Sequence, residues 1–254
     1  MMNVSAVMIV KNGARTIEKS LESLKQFDDV VVYDNGSTDG TQAIASQYPN
    51  VRLIEGQFDG FGTTKNRAAS YALHEWILII DSDEVVDTEL LNALQTQPLD
   101  PNTIYIVNFL AYYKEIPIRH CGWNNQKIRR LYNKTVTKFN DNFVHENIID
   151  EGMKKLPIPG NMKHYSYMSI SDFIVKLDRY STLFATDNVG KKSSSPAKAF
   201  FNGLYSFFRT YVLKRGFLDG YAGLIIAFSH MATNFYKYIK LYEMNLEQKS
   251  KRGE

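Results

Sequence analysis

Trp76-Ile77-Leu78-Ile79-Ile80 runs directly into Asp81-Ser82-Asp83-Glu84. This stretch decides the reading of the chain. Five apolar residues of strand length fit a strand buried on both faces, as in a mostly parallel sheet. Ligands on such sheets sit beyond the carboxyl ends of the strands. The carboxylates therefore stand where a ligand would bind. Two of them at alternate positions can share one divalent cation, and hard oxygen donors suit Mg²⁺ or Mn²⁺. The plainer alternative is an acidic turn or helix cap.

The preceding residues alternate in the same β-α fashion. Val4–Val10 reads as a strand. Thr16–Phe27 carries Ile17, Leu21 and Leu24 at helical spacing. Val30–Tyr33 is a β-branched run ending on Asp34. Asn35-Gly36-Ser37 follows as turn chemistry, with Ser37 or Thr38 as a helix cap. Val51–Ile54 predicts a third strand and Thr64–His74 another helix. Strands alternating with helices imply an α/β domain. Further on, Ile104–Tyr113, Lys127–Tyr132 and Phe143–Ile149 are strand candidates. Gly122, Trp123, Asn124 and Asn125 have loop composition.

From Ser169 the chain reads as helix. Across Lys198–Lys214, residues Phe200, Phe201, Leu204, Phe207, Phe208, Tyr211 and Val212 form a stripe at steps of three and four. Gly220–Tyr236 is uncharged for 17 residues but holds Ser229, His230, Thr233 and Asn234. A membrane span needs about 20 predominantly apolar residues, so no transmembrane segment is expected. The N-terminus lacks a basic region ahead of its apolar run, which argues against a secretory signal.

The 254 residues, 44% hydrophobic and 22% charged, describe a globular protein of one large domain, or of one domain with an appendage. The single cysteine, Cys121, excludes an intrachain disulfide and a zinc-finger spacing and points to the cytoplasm. Charge is uneven. Residues 1–150 carry 14 Lys and Arg against 19 Asp and Glu, a net of −5; residues 151–254 carry 16 against 8, a net of +8. The basic segment suits an anionic partner, or is simply a solvated face. Gly60 and Gly62 do not complete a GxGxxG, and no P-loop occurs. Nicotinamide dehydrogenases and P-loop NTPases are thereby set aside.

Several blocks in a fixed order resemble glycosyltransferase family 2, the inverting nucleotide-sugar transferases. These are Ser5-Ala6-Val7-Met8-Ile9-Val10-Lys11-Asn12, Val32-Tyr33-Asp34-Asn35-Gly36-Ser37-Thr38-Asp39-Gly40-Thr41, Lys65-Asn66 and Asp81-Ser82-Asp83-Glu84. Lys127-Ile128-Arg129-Arg130-Leu131-Tyr132, Val144-His145-Glu146, His164-Tyr165-Ser166-Tyr167 and Arg215-Gly216-Phe217-Leu218-Asp219-Gly220 resemble the bacterial branch that includes lipopolysaccharide-core β-1,4-glucosyltransferases. The resemblance implies a GT-A fold, a Rossmann-like mixed α/β sheet, over residues 1–168. Residues 169–254 read, from their own pattern, as a C-terminal helical region, a candidate for acceptor and membrane association.

The resemblance also implies roles. Asp34 corresponds to the carboxylate that contacts the nucleobase. Lys65 stands where Arg is usual, beside Asn66, for a base or phosphate contact. Asp81 and Asp83 match the first and last residues of the DxD motif. Asp81 would lie near ribose and metal, and Asp83 would ligate the metal. His164 matches a histidine that completes the metal site. Glu146 aligns with the acidic general base, but His145 precedes it where an acid is usual, so either could serve. Arg129 or Arg130 could add charge-assisted hydrogen bonds to the diphosphate. Read without the resemblance, each has a plainer account as a surface charge, a capped turn or a satisfied structural group.

The expected activity is transfer of a hexose with inversion, glucose from UDP-glucose, onto a lipopolysaccharide-core or other lipid-linked acceptor. Mg²⁺ or Mn²⁺ is the expected cofactor, and no nucleic acid is an expected partner. One alternative is another donor, UDP-N-acetylhexosamine or UDP-galactose. Another is a non-catalytic nucleotide-sugar or glycan-binding protein. The aromatic stripe beside Arg209, Lys214 and Arg215 suits peripheral contact with the cytosolic face of the inner membrane, or packing as core.

Overall fold

The computed structural model describes residues 3–124 and 126–252. They divide into two compact units. One comprises residues 3–110 with 126–165, the other 111–124 with 166–252. Asn125, part of the expected loop, lies outside the described residues.

The first unit is built on β1 (Val4–Val10), β2 (Val30–Asp34), β3 (Val51–Glu55) and β4 (Trp76–Ile79), all parallel. Helices α1 (Ile17–Ser23), α2 (Thr41–Ala45) and α3 (Phe61–Ser70) connect them. After β4 come a short strand β5 (Glu84–Val86) and α4 (Thr88–Thr96), which Asp87 caps by accepting from Leu90 N at 2.8 Å. Then follow β6 (Thr103–Tyr113), β8 (Gln126–Asn133) and β9 (Lys154–Tyr167), while β7 (Ile116–Pro117), paired with the last residues of β6, belongs to the second unit. Strand order is β3-β2-β1-β4-β8-β6-β9-β5. Pairing turns antiparallel at β4–β8 and stays so at β8–β6 and β9–β5. The result is the mixed α/β sheet expected.

Side chains alternate across the sheet with period two. Met8, Leu78 and Ile80 pack on one face with Leu21, Leu24 and Phe27 of the α1 segment. Val7, Ile77 and Ile79 pack on the other with Ala68 and Ala69 of α3. Both faces are covered, which explains the unbroken apolar run of β4.

Some boundaries differ from expectation. Neither Ser37 nor Thr38 caps α2, which begins after Gly40 in a left-handed conformation. Both residues instead bond to Asn12: Ser37 Oγ accepts from Asn12 N, and Thr38 N donates to Asn12 Oδ1, each at 2.8 Å. Helix α3 starts three residues earlier than Thr64 and ends at Ser70. The segment expected as strand Phe143–Ile149 is a loop with one isolated bridge, Phe139 to Ile148. His145 adopts a left-handed backbone (φ 61°), and Asn140 Oδ1 accepts from the backbone of Asn142 and Asn147. Such local bonds replace a strand ladder.

The second unit is helical: α5 (Ile170–Asn188), α6 (Pro196–Phe208) and α7 (Gly220–Arg252). A capping box between Ser169 and Asp172 opens α5. Ser195 caps α6 with Pro196 at its first turn. The expected helix Lys198–Lys214 is α6 followed by a π turn at Arg209–Leu213. Helix α7 packs against α5 and α6. Tyr113, Ile118, Cys121, Phe173, Ala222 and Ile226 form the core of this unit. Burial, with the Asp219 charge beside it, pushes the Cys121 thiol up to about 12.

Candidate active site

Parallel pairing of β1, β2 and β4 brings their carboxyl ends to one edge. Asp34 is level with Val10, and Ile80 N donates to Val7 O just before Asp81. Asp34 is fully buried. Its Oδ1 accepts from Ser37 N at 2.8 Å, Gln42 Nε2 at 2.9 Å and Gly36 N at 3.0 Å. Burial pushes this carboxyl up, but the bonds from Ser37, Gln42 and Gly36 outweigh it and hold the group below its usual range. The other oxygen, Oδ2, is buried with no hydrogen-bond partner. A buried acceptor left open in this way invites a ligand donor.

The rest of that motif knits two loops together. Asp39 Oδ2 accepts from Ala14 N at 3.0 Å, and Thr41 Oγ1 from Gly13 N at 2.9 Å. Gly13 also permits a close approach. A Cβ there would stand 2.9 Å from Ser82 Oγ, so the first loop lies directly against the Asp81–Asp83 turn.

Arg130, on β8, is buried beneath that turn. Its Nη2 donates to Asp81 Oδ2 at 2.9 Å and to Glu84 Oε1. Glu84 Oε2 accepts from Asp81 N at 2.9 Å. Burial pushes Asp81 up, yet the charges of Arg130 and Lys65 hold it well below the carboxylate range. Burial pushes Glu84 well above its ordinary value, opposed by Arg130 and assisted by Asp81. Asp81 therefore keeps the charge, while Glu84 is the fully buried partner that braces Arg130. The sequence alone gives Glu84 no role. Its only signal was its place at the end of the acidic run, just before the apolar pair of β5.

Asp83 and His164 meet because β5 and β9 pair with Glu84 opposite His164. Asp83 Oδ2 is 3.3 Å from His164 Nε2. Donor atoms of Asp83, Glu84 and His164 all lie within 4.8 Å of one another. Glu84 is engaged by Arg130 and the backbone, which leaves Asp83 and His164 as candidate donors. One carboxylate and one imidazole fit Mn²⁺ or Mg²⁺, ions that complete their shell with waters and substrate phosphates.

The loop after β8 carries the candidate base. Asn66 Nδ2 donates to Phe139 O, and Phe139 N donates to Asn66 Oδ1, both at 2.9 Å. Asn66 thus anchors the loop through both ends of its amide. Phe61 N donates to Phe143 O at 3.0 Å. A Cβ on Gly62 would stand 1.8 Å from Asn140 O, so only glycine lets α3 lie this close. Held in this way, Glu146 Oε1 lies 2.6 Å from Lys65 Nζ, with the two side chains 16% and 7% exposed. His145 is exposed.

Lys65, Asp81, Arg129, Arg130, Phe139 and Glu146 share one cleft of about 420 Å³. Arg129 also pairs with Asp150 at 3.0 Å. Asp34, Asn66, Asp83, His145 and His164 are not among the residues lining this cleft.

The family match and the relatives in sequence agree with one another. Residues 5–155 match Glycosyl transferase family 2. An uncharacterized glycosyltransferase of Rickettsia felis is 31% identical, over 98% of this chain and 93% of its own. The lipopolysaccharide core biosynthesis glycosyltransferase LpsC of Rhizobium meliloti is 27% identical, over 94% and 92%. Among solved structures, S. aureus TarS 1-349 aligns over 99% of this chain and 92% of its own, with 15% identity and a TM-score of 0.48.

Proposed function

The chain belongs to glycosyl transferase family 2, and on that footing we propose that it moves glucose from UDP-glucose onto a lipopolysaccharide-core or other lipid-linked glycan. The LpsC relative, similar along nearly the whole chain, supports the acceptor class. The observation that carries the reading is the shared cleft, where the Glu146 carboxylate, Lys65, Arg129 and the Asp81–Arg130 pair converge.

The chemistry follows from these groups. Asp34 Oδ2 accepts a hydrogen bond from the nucleobase of the donor. An acceptor hydroxyl attacks C1 of the sugar as Glu146 takes its proton. The bond from C1 to the diphosphate oxygen breaks on the opposite face, its electron pair leaves with UDP, and the new linkage is β. Lys65 and Arg129 supply charge-assisted hydrogen bonds to the diphosphate. A bound Mg²⁺ or Mn²⁺, held by Asp83 and His164, would stabilise the leaving charge as a Lewis acid.

A panel of UDP- and GDP-sugars with Mn²⁺ or Mg²⁺ tests the proposal by UDP release and by thermal stabilisation. A donor at 100 times its Kd adds about 2.7 kcal/mol. UDP-glucose should give the largest response. A larger response to UDP-N-acetylglucosamine or UDP-galactose overturns the sugar assignment. No response to any UDP-sugar overturns the donor class.

A further inference from the structure

The apolar stripe of α6 points away from the body of its own unit. Ala199 and Gly203 form the buried side of the helix, and Thr210 continues it through the π turn. An added Cβ at Gly203 would stand 3.2 Å from Met231 O and 3.3 Å from Phe235 Cβ, so small residues set α6 against α7. The opposite side carries Phe201, Leu204, Tyr205, Phe208 and Val212 at steps of three and four, all exposed. Phe201 is 66% exposed, Tyr205 60% and, beyond the π turn, Leu213 59%. Phe217 and Leu218 of the following 3₁₀ turn are exposed as well. Contiguous apolar exposure of this kind marks a contact surface, because isolated exposed residues would not line up along one face.

Charge identifies the occupant. Residues 188–218 contain Lys191, Lys192, Lys198, Arg209, Lys214 and Arg215 and no Asp or Glu. Lys198, Arg209 and Arg215 are exposed, beside the aromatic face or just past its end. A protein partner matched only to the aromatic face would need no carboxylate-free run of this length. With 13 residues, α6 is about 20 Å long at roughly 1.5 Å per residue. It is too short for a bilayer core of about 30 Å. No helix among the described residues is long and apolar enough to cross a membrane. An aromatic face flanked by cations on a short helix suits the plane of the headgroups.

We propose that the outward face of α6 and the two turns after it, Phe201 to Leu218, docks on an anionic lipid bilayer surface. The aromatic and aliphatic side chains enter the boundary between headgroups and acyl chains. Arg209 and Arg215 meet lipid phosphates. This contact uses only the surface of the second unit and does not depend on the identity of donor or acceptor.

Flotation of the full chain with vesicles tests it, comparing phosphatidylglycerol/phosphatidylethanolamine with pure phosphatidylcholine. The chain should float with the anionic vesicles at low salt and less at about 0.5 M salt, where screening is strong. Arg209→Gln/Arg215→Gln should lower partitioning roughly thirty-fold, since each cation near such a surface counts separately. Phe201→Ser/Phe208→Ser should abolish flotation. These side chains are exposed, so both variants should keep the wild-type melting curve. Equal binding to neutral vesicles, flotation unaffected by the substitutions, or no flotation by folded wild type each overturns the proposal. So does a dimer by light scattering that Phe201→Ser/Phe208→Ser converts to monomer, which would give the face to a second copy.

Discussion

Lys65 Nζ lies 2.6 Å from Glu146 Oε1, although 81 residues separate the two in sequence. The pair joins α3 to the loop after β8 and stands in the cleft with Asp81. A carboxylate held there, with its second oxygen outside this bond, is positioned to receive a proton. In the proposed mechanism, Lys65 keeps it in place until a donor diphosphate offers the ammonium a stronger anion.

The first test is Glu146→Gln. The amide retains the size of the side chain and a hydrogen-bonding oxygen but cannot take the proton. Transfer should fall by about 10²–10⁴-fold, the usual span for loss of a general base. UDP affinity by isothermal titration should change little. His145→Asn is the control, because His145 is exposed beside Glu146. Should His145→Asn abolish transfer while Glu146→Gln leaves it intact, the base is His145.

Arg130 offers a test of stability. Arg130→Met leaves Asp81 and the buried Glu84 facing each other without the guanidinium that joins them. Removing one partner of a buried ion network costs about 3–5 kcal/mol. Urea unfolding should show a loss of that order, and Glu84→Gln/Arg130→Met should recover part of it. A loss below about 0.5 kcal/mol, the range of ordinary surface substitutions, would mean that the network is dispensable.

The contrast between these residues shows what the sequence makes legible. The β-α alternation through Ile80 is written in apolar runs and turn residues, and the sheet follows it. Asp34 and Asp81 end such runs, which is why they can be placed at one edge of the sheet from the sequence alone. Nothing in the spacing assigns Glu84 a partner, since only the fold brings Arg130 beneath it. For Lys65 and Asn66 the sequence suggests ligand contacts. The structure adds local partners, Glu146 and the Phe139 backbone, that no spacing rule connects to them. β9 escaped notice because Pro157, Pro159 and Gly160 interrupt its pattern. Its central Gly160 lies against α4, where a Cβ would stand 2.1 Å from Leu90 N. The α6 stripe was legible as a face, but its direction depends on Ala199 and Gly203 packing on α7.

Asp83 carries the metal prediction. Asp83→Ala removes one of the two candidate donors beside Glu84. UDP binding should lose its dependence on Mn²⁺, and His164→Ala should weaken that dependence as well. Titration with and without Mn²⁺ reads both effects. An Asp83→Ala protein with wild-type affinity and wild-type metal dependence would remove Asp83 from the site.

His230 makes the second unit sensitive to acid. It is packed beside the Trp123 ring, with Nδ1 3.0 Å from Thr210 Oγ1. Burial, reinforced by the charges of Lys214 and Lys237, pulls its pKa down to about 4. In the unfolded chain the imidazole returns to about 6.5. Between those values the unfolded state binds the extra proton, so stability rises with pH. The contribution is intact above about pH 6.5 and is lost as pH falls toward 4, with roughly 2 kcal/mol gone between pH 7 and pH 5. His230→Gln keeps a polar partner for Thr210 without a titrating group. Its unfolding free energy should therefore depend on pH less steeply than wild type by that amount. Parallel slopes for the two proteins between pH 7 and pH 5 would show that His230 titrates alike folded and unfolded, and the burial argument would fail.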